Sequence, residues 1–412
     1  MAIIKPFKAV RPSKDKVHLV VTRSVDMYKK DVMDIRMKTN PFSFLHVLLP
    51  DYFEENKTKA NTPERFKAVR NAFDEFLKEE ILVQDRDECF YVYRQKSTHG
   101  TITGLIALSS CEDYRNGTIK KHEDTITSRE RILKDYLDTV KVNAEPVCFT
   151  YPDHHDVDNI IHAVCINDPL FDFSTVDRNR HSLWRISDKT LIERITKDFD
   201  KIPHYYIADG HHRSAASNLY SELSKDNNPN HTGEEAYNFF MGVFFSESQL
   251  RIFEFNRLIN DLNGHSNESL LTEIKKTFDV SPLIEASKPK ELHHIHMYLQ
   301  GEWFLIKANS NLYIENNPVS QLDSEILSKY ILDPILGIKD LKNDKRVSFK
   351  PGTHDISELV ESVDKGIAQI AFVLHPVTKD QLKDVSDAHQ TMPPKSTWIE
   401  PKMRSGMTIY HL

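Results

Sequence analysis

Ile202-Pro203-His204-Tyr205-Tyr206-Ile207-Ala208-Asp209-Gly210-His211-His212-Arg213-Ser214-Ala215-Ala216-Ser217 is the stretch from which the rest of the chain is read. Tyr205 to Ala208 is short, apolar and aromatic, the pattern of a buried strand. From His211 through Tyr220, alanine, leucine and tyrosine recur at helical spacing. Asp209 is a residue type that caps helices, and Gly210 one that permits a tight turn. A strand, a glycine turn and a helix start leave backbone N–H groups pointing outward, which makes an anion site. Two histidines and an arginine stand on that site. Glycine is scarce elsewhere, with 12 in 412 residues, so its place here carries weight. The pattern points to a holder of phosphate; the competing reading is a solvated, charged helix start.

A chain of 412 residues exceeds what one core usually holds, and 39% hydrophobic with 10% aromatic residues suffices for packed cores. The expected fold class is α+β, with mixed and antiparallel sheets. Four regions are expected: an N-terminal α+β region over 1–115, a central core over 116–262, a smaller α/β lobe over 263–345, and a C-terminal segment over 346–412 that returns to the core. The net charge of −7 argues against general binding to nucleic acid or to anionic membranes. Cys89, Cys111, Cys148 and Cys165 lie far apart and read as reduced thiols of a cytoplasmic protein. No signal-like apolar run occupies Met1 to Val10, and no run is long enough to span a membrane.

Along the chain, His18-Leu19-Val20-Val21 and Asn40 to Pro50 read as the second and third strands. Thr62-Pro63-Glu64 starts a helix with threonine as cap and proline at the first position. Its stripe of Phe66, Val69, Phe73, Phe76 and Leu77 belongs to a core. Cys89–Gln95 and Thr101–Leu108 read as paired antiparallel strands. Ala236–Phe245 reads as a buried strand with Ile252–Ile259 as its hairpin partner. His154, His155, Asp156 and Asp158 lack the His-x-x-x-His spacing of zinc enzymes and read as a solvated loop, so no metal ligands are assigned.

Two further segments carry chemistry. His122, Glu123, Arg129 and Arg131 crowd into a loop and helix entrance before Val140, where they offer a general base, oxygen ligands and phosphate-pairing guanidinium groups. A charged, capped helix entrance is the plainer reading. Met392-Pro393-Pro394-Lys395-Ser396-Thr397 holds a lysine beside two hydroxyls on a rigid turn, a point charge suited to phosphate.

With the opening Lys5-Pro6-Phe7 and with Asn143, these segments resemble, in order and across the whole chain, a bacterial family known as domain of unknown function 1015. Many of its members carry serine-proline after the asparagine and Pro-Tyr-Asp-Val near the N-terminus. This chain reads Ala144-Glu145-Pro146 and Arg23-Ser24-Val25-Asp26 there. More distantly, Asp209-Gly210-His211-His212-Arg213 is similar to the phosphate-binding turn of the ParB/sulfiredoxin-like group, which includes archaeal free-serine kinases. That resemblance implies a central core of ParB/sulfiredoxin type.

The function expected is phosphoryl transfer on a small-molecule hydroxyl or phosphate ester of the serine or phosphoserine type, in either direction. Gly210, Arg213, Lys395, Arg185, Arg129, Arg131, Ser396 and Thr397 would bind phosphate. Asp209, His211, His212, Glu123 and His122 would carry the chemistry, with ATP or ADP and Mg2+ as the cofactors this reading allows. Neither a P-loop nor a protein-kinase catalytic loop is present. The alternative is a non-enzymatic regulator that binds a nucleotide or phosphometabolite. The expected partner is a small molecule, without nucleic acid or membrane, and a homo-oligomer is compatible with the sequence.

Overall fold

Phe239–Ser246 is buried at every residue, which requires a strand covered on both faces. The computed structural model describes residues 2–412 and shows what covers it. The chain forms two units, a larger one of residues 2–120, 125–250 and 401–412, and a smaller one of residues 121–124 and 251–400. Both are mixtures of helices and sheets.

The larger unit is built on a nine-stranded mixed sheet. In chain order its strands are β1 (Ile4–Lys5), β2 (Phe90–Ser97), β3 (Gly100–Ser110), β4 (Ile119–Lys120), β5 (Val147–Tyr151), β6 (Phe171–Ser174), β7 (Arg180–Ile186), β8 (Tyr205–Asp209) and β9 (Phe239–Ser246). They lie side by side as β4-β8-β5-β9-β3-β2-β7-β6, with β1 also paired to β3. The pairs β4–β8 and β5–β9 are parallel, and the others are antiparallel. Its principal helices are α1 (Pro63–Lys78), α2 (Thr127–Val140), α3 (His155–Val164), α4 (Lys189–Phe199) and α5 (His211–Asp226).

One core joins Phe149, Tyr205, Ile207 and Phe244 of the sheet to Val157, Ile160 and Ile161 of α3 and to Ile195 and Phe199 of α4. A second gathers Phe66, Val69, Phe73 and Phe76 of α1, the stripe expected at helical spacing, with Val140 and Ile409. Thr62 caps α1 by accepting the Arg65 N–H, with Pro63 in the first turn. β9 needs a glycine in its middle: a Cβ on Gly242 would stand 2.6 Å from the Phe149 ring of β5.

In the smaller unit, β10 (Phe255–Ile259), β11 (Asp279–Leu283), β12 (His294–Leu299), β13 (Glu302–Lys307), β14 (Val347–Pro351) and β15 (Ile370–Val373) form an antiparallel sheet ordered β11-β13-β12-β15-β10-β14. Leu270 and Ile274 pack in one of its cores and Leu359 in the other. Among the described residues no helix is long and apolar enough to cross a membrane.

Four local expectations differ from the structure. Val17–Val20 and Leu45–Leu48 are helical turns where strands were expected, because three apolar residues in so short a stretch do not distinguish the two periods. His154–Asp158 leads into α3, whose Val157, Ile160 and Ile161 are buried at helical spacing while Asp156 and Asp158 favour its first turn. Ile252–Ile259 does not pair with β9; its second half is β10, held between β14 and β15. The turn between the two segments looked like a hairpin, but the strands that pair with the two edges of β10 lie about 90 and about 110 residues downstream.

Candidate functional site

β8 ends at Asp209, Gly210 is the N-cap, and α5 begins at His211. Gly210 lies at φ 104°, a left-handed conformation that side chains resist. The expectation that Asp209 caps the helix is corrected here: the N-cap is Gly210, with no side-chain cap bond. A register shift between Ile207 and Asp209 in the pairing with β5 tilts the strand end and re-aims the aspartate. Asp209 is instead clamped by cations. Its Oδ1 accepts from Lys402 Nζ at 2.9 Å and its Oδ2 from Arg213 at 3.0 Å. Burial opposes its ionisation, but Lys402 and Arg213 outweigh that and hold its carboxyl below the usual carboxylate range. The stability this contributes is present above an ordinary carboxyl pKa and is lost as pH falls through the lowered one.

Arg213 pins the turn to the strand beside it. Its guanidinium donates to the carbonyls of Glu145 at 3.2 Å and Pro146 at 2.6 Å, and pairs with the Glu145 carboxylate at 3.0 Å. The other Glu145 oxygen accepts from Ser24 at 2.6 Å and Ser405 at 3.0 Å. Ser24 and Glu145 belong to the two stretches in which this chain departs from the motif pattern noted above, and they bond each other. A Cβ on Gly210 would sit 3.0 Å from the Arg213 guanidinium. Gly210→Ala is therefore expected to lower stability by about 1–3 kcal/mol, from backbone strain at a left-handed site. Urea unfolding would show the lower midpoint at unchanged slope.

Several segments end together around this turn. β4 and β8 are adjacent and parallel, so Lys120 and Asp209 leave the sheet at the same end. α2 runs alongside α5 in the same direction: Leu133 and Leu137 share a cavity wall with Arg213 and Ala216, and further on Lys141 donates to the Tyr220 hydroxyl at 2.7 Å. Two helix N-termini therefore open toward one end, a favourable place for an anion. His211 is buried and His212 half-buried at the start of α5; Arg129 in the first turn of α2 and Arg131 just after it are exposed.

Arg185 is on β7, five strands away from β8, about 24 Å at ordinary strand spacing, and pairs with Asp85 at 3.2 Å. His122, Glu123, Lys395, Ser396 and Thr397 belong to the smaller unit. There Lys395 is exposed with its ammonium over the Phe255 ring, and its carbonyl accepts from the buried Arg257. Ser396 is bonded to Ser324 and to the Pro393 carbonyl, and with Thr397 it is buried, so those hydroxyls serve the unit's own packing. Lys402, Glu145, Ser24 and Ser405 were not anticipated as site residues. The one local signal was Lys402 closing the proline-rich C-terminal stretch.

The family model described as a protein of unknown function, DUF1015, matches residues 4–325. The chain belongs to the DUF1015 family. No curated protein matches it in sequence. Among solved structures it is similar to a free serine kinase mutant in complex with AMP, at 12% identity and a TM-score of 0.38, over 73% of this chain and 92% of that one. A conserved hypothetical protein from Pyrococcus furiosus matches at 11% identity and TM-score 0.36, over 72% and 93% of the two chains. SbnI with a C-terminal truncation, from Staphylococcus aureus, matches at 12% identity and TM-score 0.36, over 72% and 82%.

Proposed function

We propose that this DUF1015 protein is a phosphoryl-transfer enzyme of the cytoplasm that binds ATP or ADP and acts on a small hydroxyl compound or its phosphate ester. The observation that carries the reading is the left-handed Gly210 between β8 and a sixteen-residue helix whose first turn holds two histidines, an arginine and no acidic residue. Phosphoryl transfer asks a protein mainly for positioning and for positive charge around the equatorial oxygens. The start of α5 supplies N–H donors and a helix dipole, and His212, Lys402, Arg129 and Arg131 supply charge from the same end of the unit. In this proposal the strand–turn–helix is of ParB/sulfiredoxin type and the substrate is of the serine or phosphoserine kind. The four free cysteines support a reducing compartment.

Arg213 is the brace in this scheme, because its bonds hold Asp209, the Glu145 carboxylate and the 145–146 backbone in place. Asp209 is the candidate base towards a substrate hydroxyl, released when an incoming phosphate draws Lys402 away. His122 and Glu123 follow β4 by two and three residues and are the second acid–base candidates. Both Asp209 oxygens face cations, so Asp209 is not assigned as a magnesium ligand.

The test incubates the protein and magnesium with serine plus ATP or ADP, and separately with phosphoserine, following phosphoserine and free phosphate. His212→Ala is expected to lower turnover about 100-fold or more, the loss typical of removing one electrostatic donor to a transition state. Nucleotide affinity should change far less. Nucleotide binding without turnover in either assay would move the protein to the regulatory class.

A further inference from the structure

Beside the brace, the larger unit holds a cavity of about 200 Å³. Its wall is mostly apolar: Leu48, Leu133 and Leu137 line it with Phe240 and Met241 of β9. Its polar groups include Asn143, Glu145 and Arg213, with Ser24 and Ser405. The charges among them are spent on one another, because Glu145 accepts from Arg213, Ser24 and Ser405 together. Asn143 differs. Its Oδ1 accepts the Met241 N–H at 3.1 Å, which fixes the side-chain orientation, and no protein group among the described residues takes a hydrogen bond from its amide NH2.

We propose that this cavity binds a small molecule with an apolar body and one carbonyl-type oxygen, received by the Asn143 amide. An apolar cavity of about 150 Å³ holds benzene, so this one suits a body of about eight non-hydrogen atoms. The uncommitted polar capacity is a donor, which selects an acceptor oxygen and offers nothing to an ammonium group. A free zwitterionic amino acid would lose hydration at both charges with no uncommitted ion to meet them, and is selected against. The cavity is a second binding site beside the turn, separate from the place proposed above for a serine- or phosphoserine-type substrate, and its binding does not depend on the phosphoryl-transfer reading.

The test uses acetophenone, which carries the acceptor oxygen, and isopropylbenzene, which matches it in size without one. Each is titrated into the full chain by ligand-observed NMR, with ATP binding measured alongside. Acetophenone is expected to bind the wild type, and Asn143→Asp to weaken it about tenfold, the worth of one lost hydrogen bond, while isopropylbenzene changes less than about twofold. Ala216→Phe, which fills the cavity from α5, should abolish binding of both probes and leave ATP binding in place. Acetophenone failing to bind a wild type that binds ATP overturns the cavity proposal, as does equal binding to Ala216→Phe. Probe binding as expected without any ATP binding upholds the site and counts only against the phosphoryl-transfer reading. Should Ala216→Phe not fold, the Asn143→Asp contrast between the two probes decides alone.

Discussion

Arg213→Met is expected to destabilise the larger unit by about 2–3 kcal/mol, below the 3–5 kcal/mol of a fully buried pair because these side chains keep some exposure. The guanidinium is 26% exposed and its partner Glu145 22%, so solvent screens part of the loss. Deleting it leaves two carboxylates and two backbone carbonyls short of a donor at once. Asp209 keeps Lys402, and Glu145 keeps Ser24 and Ser405, which sets the upper bound. Arg213→Lys should recover less than half, because one ammonium cannot reproduce a planar fork that bonds four acceptors. Urea unfolding of the three proteins gives the ranking. An Arg213→Met midpoint equal to wild type would mean that the turn is held by other bonds.

The second large effect is on pH. His181 of β7 is fully buried, with the Tyr93 hydroxyl 2.9 Å from Nδ1, the Thr175 hydroxyl 3.2 Å from Nε2, and the Phe173 ring stacked against it. Burial, aided by the Arg404 charge and opposed by Asp177, pushes its pKa down to about 3. An unfolded histidine titrates near 6.5. Between those values the unfolded chain binds a proton that the native chain refuses, so this group lowers stability as pH falls below 6.5. The slope reaches about 1.4 kcal/mol per pH unit once pH is well below 6.5, which gives about 2 kcal/mol between pH 6.5 and 4.5. Other groups titrate over that range, and comparison with His181→Phe isolates the histidine. Tyr93 retains Gln95 as a partner and Thr175 retains Asp177, so the variant leaves neither hydroxyl stranded. Wild type should lose about 2 kcal/mol more than His181→Phe over this interval. Equal losses would show that the ring is protonated in the native state.

How much of this could be read from residues alone depended on the range of the interaction. Tyr205 to Tyr220 declared a strand, a left-handed turn and a helix, because alternation, one glycine and a run of alanine are local facts with local consequences. Thr62-Pro63 announced α1, and its aromatic stripe announced a buried face. Where only three apolar residues stood together, as at Leu19–Val21, strand and helix were equally served and tertiary packing chose the helix.

The chemistry divides in the same way. Local residue pattern was enough to show that a glycine turn would present His211, His212 and Arg213 at a helix start. Only the tertiary structure decided that Arg213 braces Glu145, that Lys402, 193 residues away from Asp209, neutralises it, and that Arg185 lies across the sheet. It also decided that Asn143 and Glu145 edge an apolar cavity. Periodicity records which face of an element is buried, since burial acts on each residue where it stands. It does not record which distant segment does the burying, because that is set by the order in which strands join a sheet, and every one of those pairings uses the same backbone bonds.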